Sequence, residues 1–539
     1  MEVKNLKKIF IFLGVLMILL AARLAYIQLA GHEELSEATR SQSLISLEGS
    51  NTRGVIYDRN GAALVADRKS YVYIINEKNY NRRAEQLLEQ VNAAKVSSDN
   101  EGHHVYSSSI YDKETGRELI DKCGAYILQA SSRYSHNQVA AHVIGYVNRS
   151  DSSGAAGLEL MFDEQLSALN RRVYAAADVK GNIIPGRGLV IASEAHNDSY
   201  AGEGIRTTID KELQIEVEEI IEKNDKKCAV VVLDSKSGGI AAMACTPGFD
   251  PSRAEQYVQS RGDELVNKTT QGEYPPGSVF KIVVAAAALE NGMDTDKTYV
   301  CSGHVELDGI SIGCDTGGDS GHGEISFEDA FAQSCNSYFI QLAMDTGADP
   351  VIEMARDMGF GEKVLDGYPQ ESKGHLMTES ERTGNAIGNL AIGQGEILAT
   401  PLQVASMTSI IANGGVDKGV HLLMDEEPEE NRVISQSTAE DISKMMELVT
   451  REGTGGVIEP DAGGKPRAAV KTGTAEYGSE EDNTSHGWIT GFAPCDNPEY
   501  VITVLVENGS SGSRSAGPGF ESIIDYLEKS GSYSTPTLT

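Results

Sequence analysis

The chain has 539 residues and a formal net charge of −33, from 46 Lys+Arg against 79 Asp+Glu. That balance repels a polyanion, so nucleic acid is excluded as an expected partner. Hydrophobic residues at 40% and charged residues at 23% describe a globular chain rather than a disordered one, long enough for two or three domains.

The first expected element is a membrane anchor. Lys4, Lys7 and Lys8 precede an apolar run that passes Arg23 and spans Ile9 to Ala30, 22 residues (30 − 9 + 1). A helix needs roughly 20 residues to cross the hydrocarbon. The lysines place the N-terminus in the cytoplasm and the bulk of the chain outside. Ala21, Ala22 and Ala30 offer a rival, a cleaved signal peptide, but the apolar run continues past Arg23 without a clear cleavage site.

Beyond the anchor, Thr52 to Gly61 reads as a strand entering a tight turn at Asn60-Gly61, with further strands at Ala62 to Ala66 and Tyr71 to Asn76. Arg83 to Ala93 reads as a polar helix. Leu213, Val217, Ile220 and Ile221 fall at helical spacing, which predicts a helix over Asp210 to Lys226 capped by Asp210. Cys228 to Leu233 and Gly239 to Cys245 form a predicted hairpin across Asp234 to Gly238. From Ser278 to about Asn413 the pattern is largely helical, with a start at Thr400-Pro401 and a stop at Gly414-Gly415. Strands return at Ala468 to Thr474, Gly487 to Ala493 and Tyr500 to Glu507, and a helix closes at Phe520 to Lys529. This is an α+β order in which the last strands can pair with the first hairpin. The expected division is 1–30 cytoplasmic tip and anchor, 40–200 N-terminal domain, 205–530 catalytic domain and 531–539 tail.

The seven cysteines contain no CxxC pair, so a zinc ribbon or thioredoxin-like site is not expected. Cys301 and Cys314 flank a short Gly-containing segment and could pair, since seven is odd and at least one thiol is left over.

Three short motifs carry chemistry. Tyr274-Pro-Pro-Gly-Ser278-Val-Phe-Lys281 leads into an apolar run ending at Leu289. Ser278 falls in the first turn of the expected helix, where free backbone N–H groups favour developing negative charge. Lys281, three residues on, shares its face and could serve as the base a serine nucleophile needs. Ser-x-x-Lys occurs once here, though about two chance matches are expected at this length. Ser334-Cys335-Asn336 lies 56 residues further (334 − 278). A second serine could relay a proton and an amide could hold a peptide carbonyl. Alone it would be a turn or helix cap, and Ser98-Asp99-Asn100 and Ser135-His136-Asn137 match the same pattern. Lys471-Thr472-Gly473-Thr474 follows after another 137 residues (471 − 334), on an expected strand. Gly473 is expected to leave space for a ligand backbone, beside a cation and hydroxyls suited to a carboxylate.

Ser-x-x-Lys, Ser-x-Asn and Lys-Thr-Gly in this order resemble the signature of penicillin-binding proteins and serine β-lactamases. Arg53 to Gly61, Gly157-Leu-Glu-Leu160, Arg206 to Asp210, Gly393-Gln-Gly395, Thr400 to Gln403 and His486 to Ala493 resemble further landmarks of class B penicillin-binding proteins. The resemblance implies a penicillin-binding transpeptidase domain, an antiparallel sheet with helices, preceded by a mixed α/β dimerisation-type domain and one transmembrane helix. It implies Ser278 as nucleophile, Lys281 as base and Ser334 as proton relay. Lys471 would complete the catalytic set, and the backbone N–H groups of Ser278 and Thr474 would form the oxyanion hole. Asn336, Thr472, Gly473 and Thr474 would bind a stem peptide ending in D-Ala-D-Ala. β-Lactams would acylate Ser278. No metal or cofactor is expected, and the implied partner is a polytopic membrane glycosyltransferase. The turn Ser237-Gly238-Gly239 departs from the family's usual Thr-Gly-Glu, and the N-terminal domain is short for the class. A D,D-carboxypeptidase would use the same residues with water as acceptor. A β-lactamase is disfavoured by the lack of a Glu-x-x-Leu-Asn element between the second and third motifs. A β-lactam sensor or assembly scaffold is disfavoured by the intact motifs.

Overall fold

A computed structural model of the chain describes residues 12–17, 44–46, 53–65, 68–98, 103–135, 137–148, 153–167, 171–176, 189–193, 204–260, 262–314, 320–382, 386–477 and 484–532. These fall into two compact units, one within Met1–Arg53, Arg68–Ser132 and Ala168–Ala201, the other within Gly54–Asp67, Arg133–Ser167 and Gly202–Thr539. The expected anchor, Ile9 to Ala30, lies outside the described residues except for a helical stretch at 12–17. Among the described residues no helix is long and apolar enough to cross a membrane.

The smaller unit holds an antiparallel sheet in the order Ala94–Ser98, His103–Ser108, Arg68–Asn76, Tyr126–Ser132. The helices Arg82–Gln90 and Lys113–Cys123 contribute Leu87, Leu88 and Leu119 to a core with Tyr73 and Ile75. Asn81 and Asp112 cap the two helices through their side-chain oxygens.

The larger unit is built on a five-stranded antiparallel sheet. Its order is Ile240–Cys245, Cys228–Asp234, Tyr500–Gly509, Thr484–Ala493, Ala469–Tyr477. The first hairpin does pair with the last strands, as the strand–helix–strand order predicts. Helix Lys211–Glu222 begins where expected, with Asp210 Oδ1 accepting from Leu213 N–H at 3.1 Å. Thr400 and Gln403 form a reciprocal capping box before helix Pro401–Ala412.

Two expectations need correction. Ala62 to Val65, the described part of an expected strand that ran to Ala66, is not a strand: its pairing is a single bridge from Ala63 to Tyr57, across the turn that Gly61 N–H closes on Asp58 O. The stretch from Ser278 to Asn413 is not continuously helical either. Short strands Tyr299–Cys301, His304–Leu307, Ile310–Gly313 and Gly323–Ile325 interrupt it, pairing as the first with the last and the second with the third. Their side chains are mostly exposed or half-buried, so they carry little of the alternation that marks a strand covering a core.

The sheet's outer strand Ile240–Cys245 is completed by a side chain rather than another strand. Gln214 donates to Met243 O at 2.9 Å and accepts from Met243 N–H at 2.8 Å. Glu218, one turn on, accepts from Gln214 at 2.9 Å and from Ala140 N–H at 2.7 Å. Burial pushes its pKa up to about 7 from 4.5, against the pull of those two hydrogen bonds. Between pH 4.5 and 7 the folded protein therefore binds more protons than the unfolded chain. Its stability falls as pH rises through that window and then levels. Glu218→Gln keeps an acceptor oxygen without the ionisation, so it is expected to raise the melting temperature at pH 8 and leave it unchanged at about pH 4.5. A mutant less stable than wild type at pH 8 would refute this.

Candidate active site

Ser278 lies on a 3-10 turn, Gly277–Phe280, which runs directly into helix Lys281–Glu290. Seven of the helix's side chains from Ile282 to Ala288 are buried, so it threads the core on all sides rather than lying on the surface. That fixes Lys281 with no solvent exposure. Its Nζ stands 3.1 Å from Ser278 Oγ. It also lies 2.7 Å from Ser334 O, 3.2 Å from Ser334 Oγ and 2.7 Å from Asn336 Oδ1.

Ser334 occupies the turn between helices Phe327–Ala332 and Asn336–Thr346. Its φ of +56° is left-handed, a conformation that costs a non-glycine residue energy and persists where surroundings impose it. The turn directs both Ser334 oxygens toward Lys281. Lys471, on the edge strand Ala469–Tyr477, reaches Ser334 Oγ from the other side at 3.0 Å and Thr472 O at 3.1 Å. One hydroxyl thus sits between two fully buried amines. Burial first, and then the charge of Lys281, hold the Lys471 amine well below the usual lysine range.

The strand is pressed against the nucleophile turn. A Cβ on Gly277, whose φ is +58°, would come 2.7 Å from Thr474 O. A Cβ on Gly473 would meet Pro276 O at 3.2 Å and Val279 Cγ1 at 3.1 Å. The space that Gly473 leaves is therefore taken by the chain's own nucleophile turn, not reserved for a ligand backbone alone. Gly277→Ala is expected to cost both stability, roughly 1–3 kcal/mol from the left-handed backbone and the clash, and acylation rate, by displacing Ser278 from Thr474. Unchanged acylation kinetics in that variant would show that the close approach has no part in the site.

Ser278, Ser334, Asn336, Thr472, Gly473 and Thr474 line one cavity of about 660 Å³, a volume suited to a peptide end. The sequence motifs thus converge, whereas Ser135 and Asn137 of the second matching tripeptide do not line the cavity. The cavity also has walls that the motifs did not reveal. Thr454 shares a 2.6 Å hydroxyl contact with Thr472, and Asn389, Gln394 and Glu476 stand nearby on the lining. Thr454 lies in Gly453-Thr-Gly-Gly456, where a Cβ on Gly453 would strike Ala332 O at 2.2 Å. That glycine pair flanking a threonine was the available signal. The Cys301–Cys314 bridge is not formed, since both thiols are free.

Comparison with known proteins agrees with this geometry. Residues 228–525 match the penicillin binding protein transpeptidase domain, and residues 49–191 match the penicillin-binding protein dimerisation domain. The chain belongs to the penicillin-binding protein transpeptidase family, as a class B member. It is similar to the peptidoglycan D,D-transpeptidase MrdA of Haemophilus influenzae, 26% identical over 96% of this chain and 90% of that protein. Among solved structures it resembles a chain of a peptidoglycan synthase complex that coordinates polymerization and crosslinking, at a TM-score of 0.72, 25% identity and full coverage of both chains. It shares its fold with penicillin-binding protein 3 of Mycobacterium tuberculosis complexed with aztreonam, at a TM-score of 0.64 and 24% identity, covering 90% of this chain and 98% of that one.

Proposed function

We infer that the protein is a peptidoglycan D,D-transpeptidase acting through a Ser278 acyl-enzyme. The observation that carries this is the placing of one serine hydroxyl 3.1 Å from a buried lysine that Ser334 and Asn336 also contact, beneath the Lys471 strand. The relationship to MrdA over most of both chains supports the substrate class.

The geometry supports the following roles. Lys281, in its deprotonated form, takes the proton of Ser278 as Oγ attacks the carbonyl of the penultimate D-Ala in a donor stem peptide. The backbone N–H groups of Ser278 and Thr474 receive the developing oxyanion, a preorganised pair of donors of the kind that contributes most to acyl transfer. The C–N bond breaks and the terminal D-Ala leaves with a proton passed from Lys281 through Ser334 Oγ. Lys471, which also contacts that hydroxyl, orients it. Asn336 holds the donor peptide, and Thr472 and Thr474 hold its terminal carboxylate against the edge strand, with Gly473 keeping strand and nucleophile turn in register. An amine of a second stem then attacks the acyl-enzyme, and Ser278 recovers its proton. A β-lactam carbonyl would acylate Ser278 by the same first step, the chemistry consistent with the aztreonam complex of the related penicillin-binding protein 3.

The N-terminal run Ile9 to Ala30 serves as a single-pass anchor with the N-terminus cytoplasmic and the catalytic region outside the membrane. Residues 40–200 act as a pedestal, 205–530 as the transpeptidase domain and 531–539 as a tail. The glycan strands come from a polytopic glycosyltransferase partner, a reading supported by the resemblance to a chain from a complex that couples polymerization to crosslinking.

The full-length protein, given a stem pentapeptide and a D-amino acid acceptor, is expected to release D-Ala and yield the exchanged peptide. A hydrolysed tetrapeptide as sole product would replace the transpeptidase by a carboxypeptidase. Absence of both D-Ala release and penicillin labelling would remove the enzymatic reading.

A further inference from the structure

The two N–H groups assigned to the oxyanion, those of Ser278 and Thr474, belong to segments 196 positions apart (474 − 278). The strand that carries Thr474, Ala469–Tyr477, is the last of its sheet and pairs on one side only, with Thr484–Ala493. An edge strand presents a row of unpaired N–H and C=O groups on its other side. Residues two apart present theirs to the same edge, because hydrogen-bonded and non-hydrogen-bonded pairs alternate along an antiparallel ladder. Glu476 stands two residues beyond Thr474. Whatever holds the outer edge at Glu476 therefore also sets the aim of the Thr474 N–H.

The side chain that holds it is Gln394, on the wall of the same cavity as Ser278. With its nitrogen toward Glu476 O and its oxygen toward Glu476 N–H, the Gln394 amide makes hydrogen bonds of 3.2 Å and 3.1 Å. A carboxamide donates and accepts as a peptide group does, so it stands in for one residue of a neighbouring strand. Gln214 does the same for Met243 at the opposite edge of the sheet. The turn that bears Gln394 is fixed at its other end to the nucleophile. Gly277 N–H donates to Gly393 O at 2.8 Å. Gly393 has a φ of +67°, and a Cβ there would come 2.2 Å from Gly277 O and 2.8 Å from Phe280 Cβ. Gly393 N–H donates to Leu390 O at 3.0 Å and Gln394 N–H to Asn389 O at 2.9 Å, which ties the turn to helix Ala386–Ala391. Two consecutive residues thus grip both halves of the oxyanion hole. Gly393 holds the residue before Ser278, and Gln394 holds the residue two beyond Thr474.

We propose that Gln394 is a positioning residue for the oxyanion hole, clamping the edge strand to the nucleophile turn so that the Ser278 and Thr474 N–H groups keep one separation and one aim. It acts through the backbone of Glu476 and not on the reacting atoms. The role rests on the acyl-transfer reading of the same site. An oxyanion forms only as the carbonyl is attacked, so a loosened clamp slows acylation and leaves the first, noncovalent binding of a ligand intact. A side chain that merely satisfied the strand edge would affect stability alone.

The test compares the full-length protein with Gln394→Met, which keeps the length of the side chain and removes the amide. Stopped-flow kinetics with a chromogenic cephalosporin separate the Kd of the initial complex from the rate constant of acylation. That rate constant is expected to fall by about tenfold or more, short of the roughly 10²–10³-fold cost of deleting an oxyanion donor outright. Kd and the melting temperature should change little, since Gln394 is half-buried. Amide hydrogen exchange gives a readout that needs no activity: the Glu476 N–H should lose protection in the variant. An unchanged acylation rate constant overturns the proposal. So does a loss confined to Kd, or equal protection of Glu476 in the two proteins. Wild-type acylation, measured first, tests the acyl-transfer reading by itself, and the exchange measurement tests the clamp whether or not acylation occurs.

Discussion

Replacing Ser278 by alanine is expected to abolish labelling by a fluorescent penicillin and release of D-Ala, a loss on the order of 10⁴-fold or more, as for other acyl-transfer nucleophiles. The loss is chemical rather than structural. Ser278 is half-buried, and its hydroxyl oxygen accepts from Lys281 Nζ at 3.1 Å. Lys281 keeps its oxygen contacts to Ser334 and Asn336 when that hydroxyl is gone. The melting temperature should therefore change little, and a thermal scan beside the labelling gel separates lost chemistry from lost fold. Label retained on the folded alanine variant would move the nucleophile elsewhere.

The second large effect is expected at Lys281. Lys281→Met removes the base and should lower the second-order rate of acylation by about 10²–10⁴-fold, the range of general-base catalysis. Methionine fills a similar volume, so the core around the helix is preserved. Lys281→Arg is the sharper experiment. Arginine keeps a positive charge but does not give up its proton in proteins. If Lys281 is the base, both variants are slow. If it contributes only positive charge, arginine retains acylation, and stopped-flow rates would show it.

The parts of this site that were legible in the sequence are those made within one element. Ser278 and Lys281 share a turn, so their spacing alone predicts that the side chains meet. The approach of Lys471 to Ser334, 137 positions apart (471 − 334), follows from no local pattern. It was reached through family resemblance, and the 3.0 Å contact gives it a physical basis. The strands between Tyr299 and Ile325 escaped because few of their side chains are buried. The same hairpins explain why the meeting of Cys301, Cys314 and Cys335 was not legible: strand pairing and a helix start bring them together, not close spacing in sequence. Gly473 was legible as a glycine with a purpose, but its neighbour proved to be the nucleophile turn.

The order of strands in the larger sheet has a consequence for how the protein comes into being. Strand Cys228–Asp234 lies beside Tyr500–Gly509, so Cys228 meets Val506, 278 positions later (506 − 228). Until that late segment is available, the strand carrying Val230, Val231 and Val232 is paired only with Ile240–Cys245, and its other edge is open. Pairing at such separation is slow because the loop must close before any contact rewards it. Lys471 sits beyond the helical middle as well, so no N-terminal fragment contains a complete reaction centre. The enzyme becomes competent only once strand Tyr500–Gly509 has been made, and a chain stopped before it presents an open apolar edge, a substrate for chaperones and proteases instead of an early cross-linker.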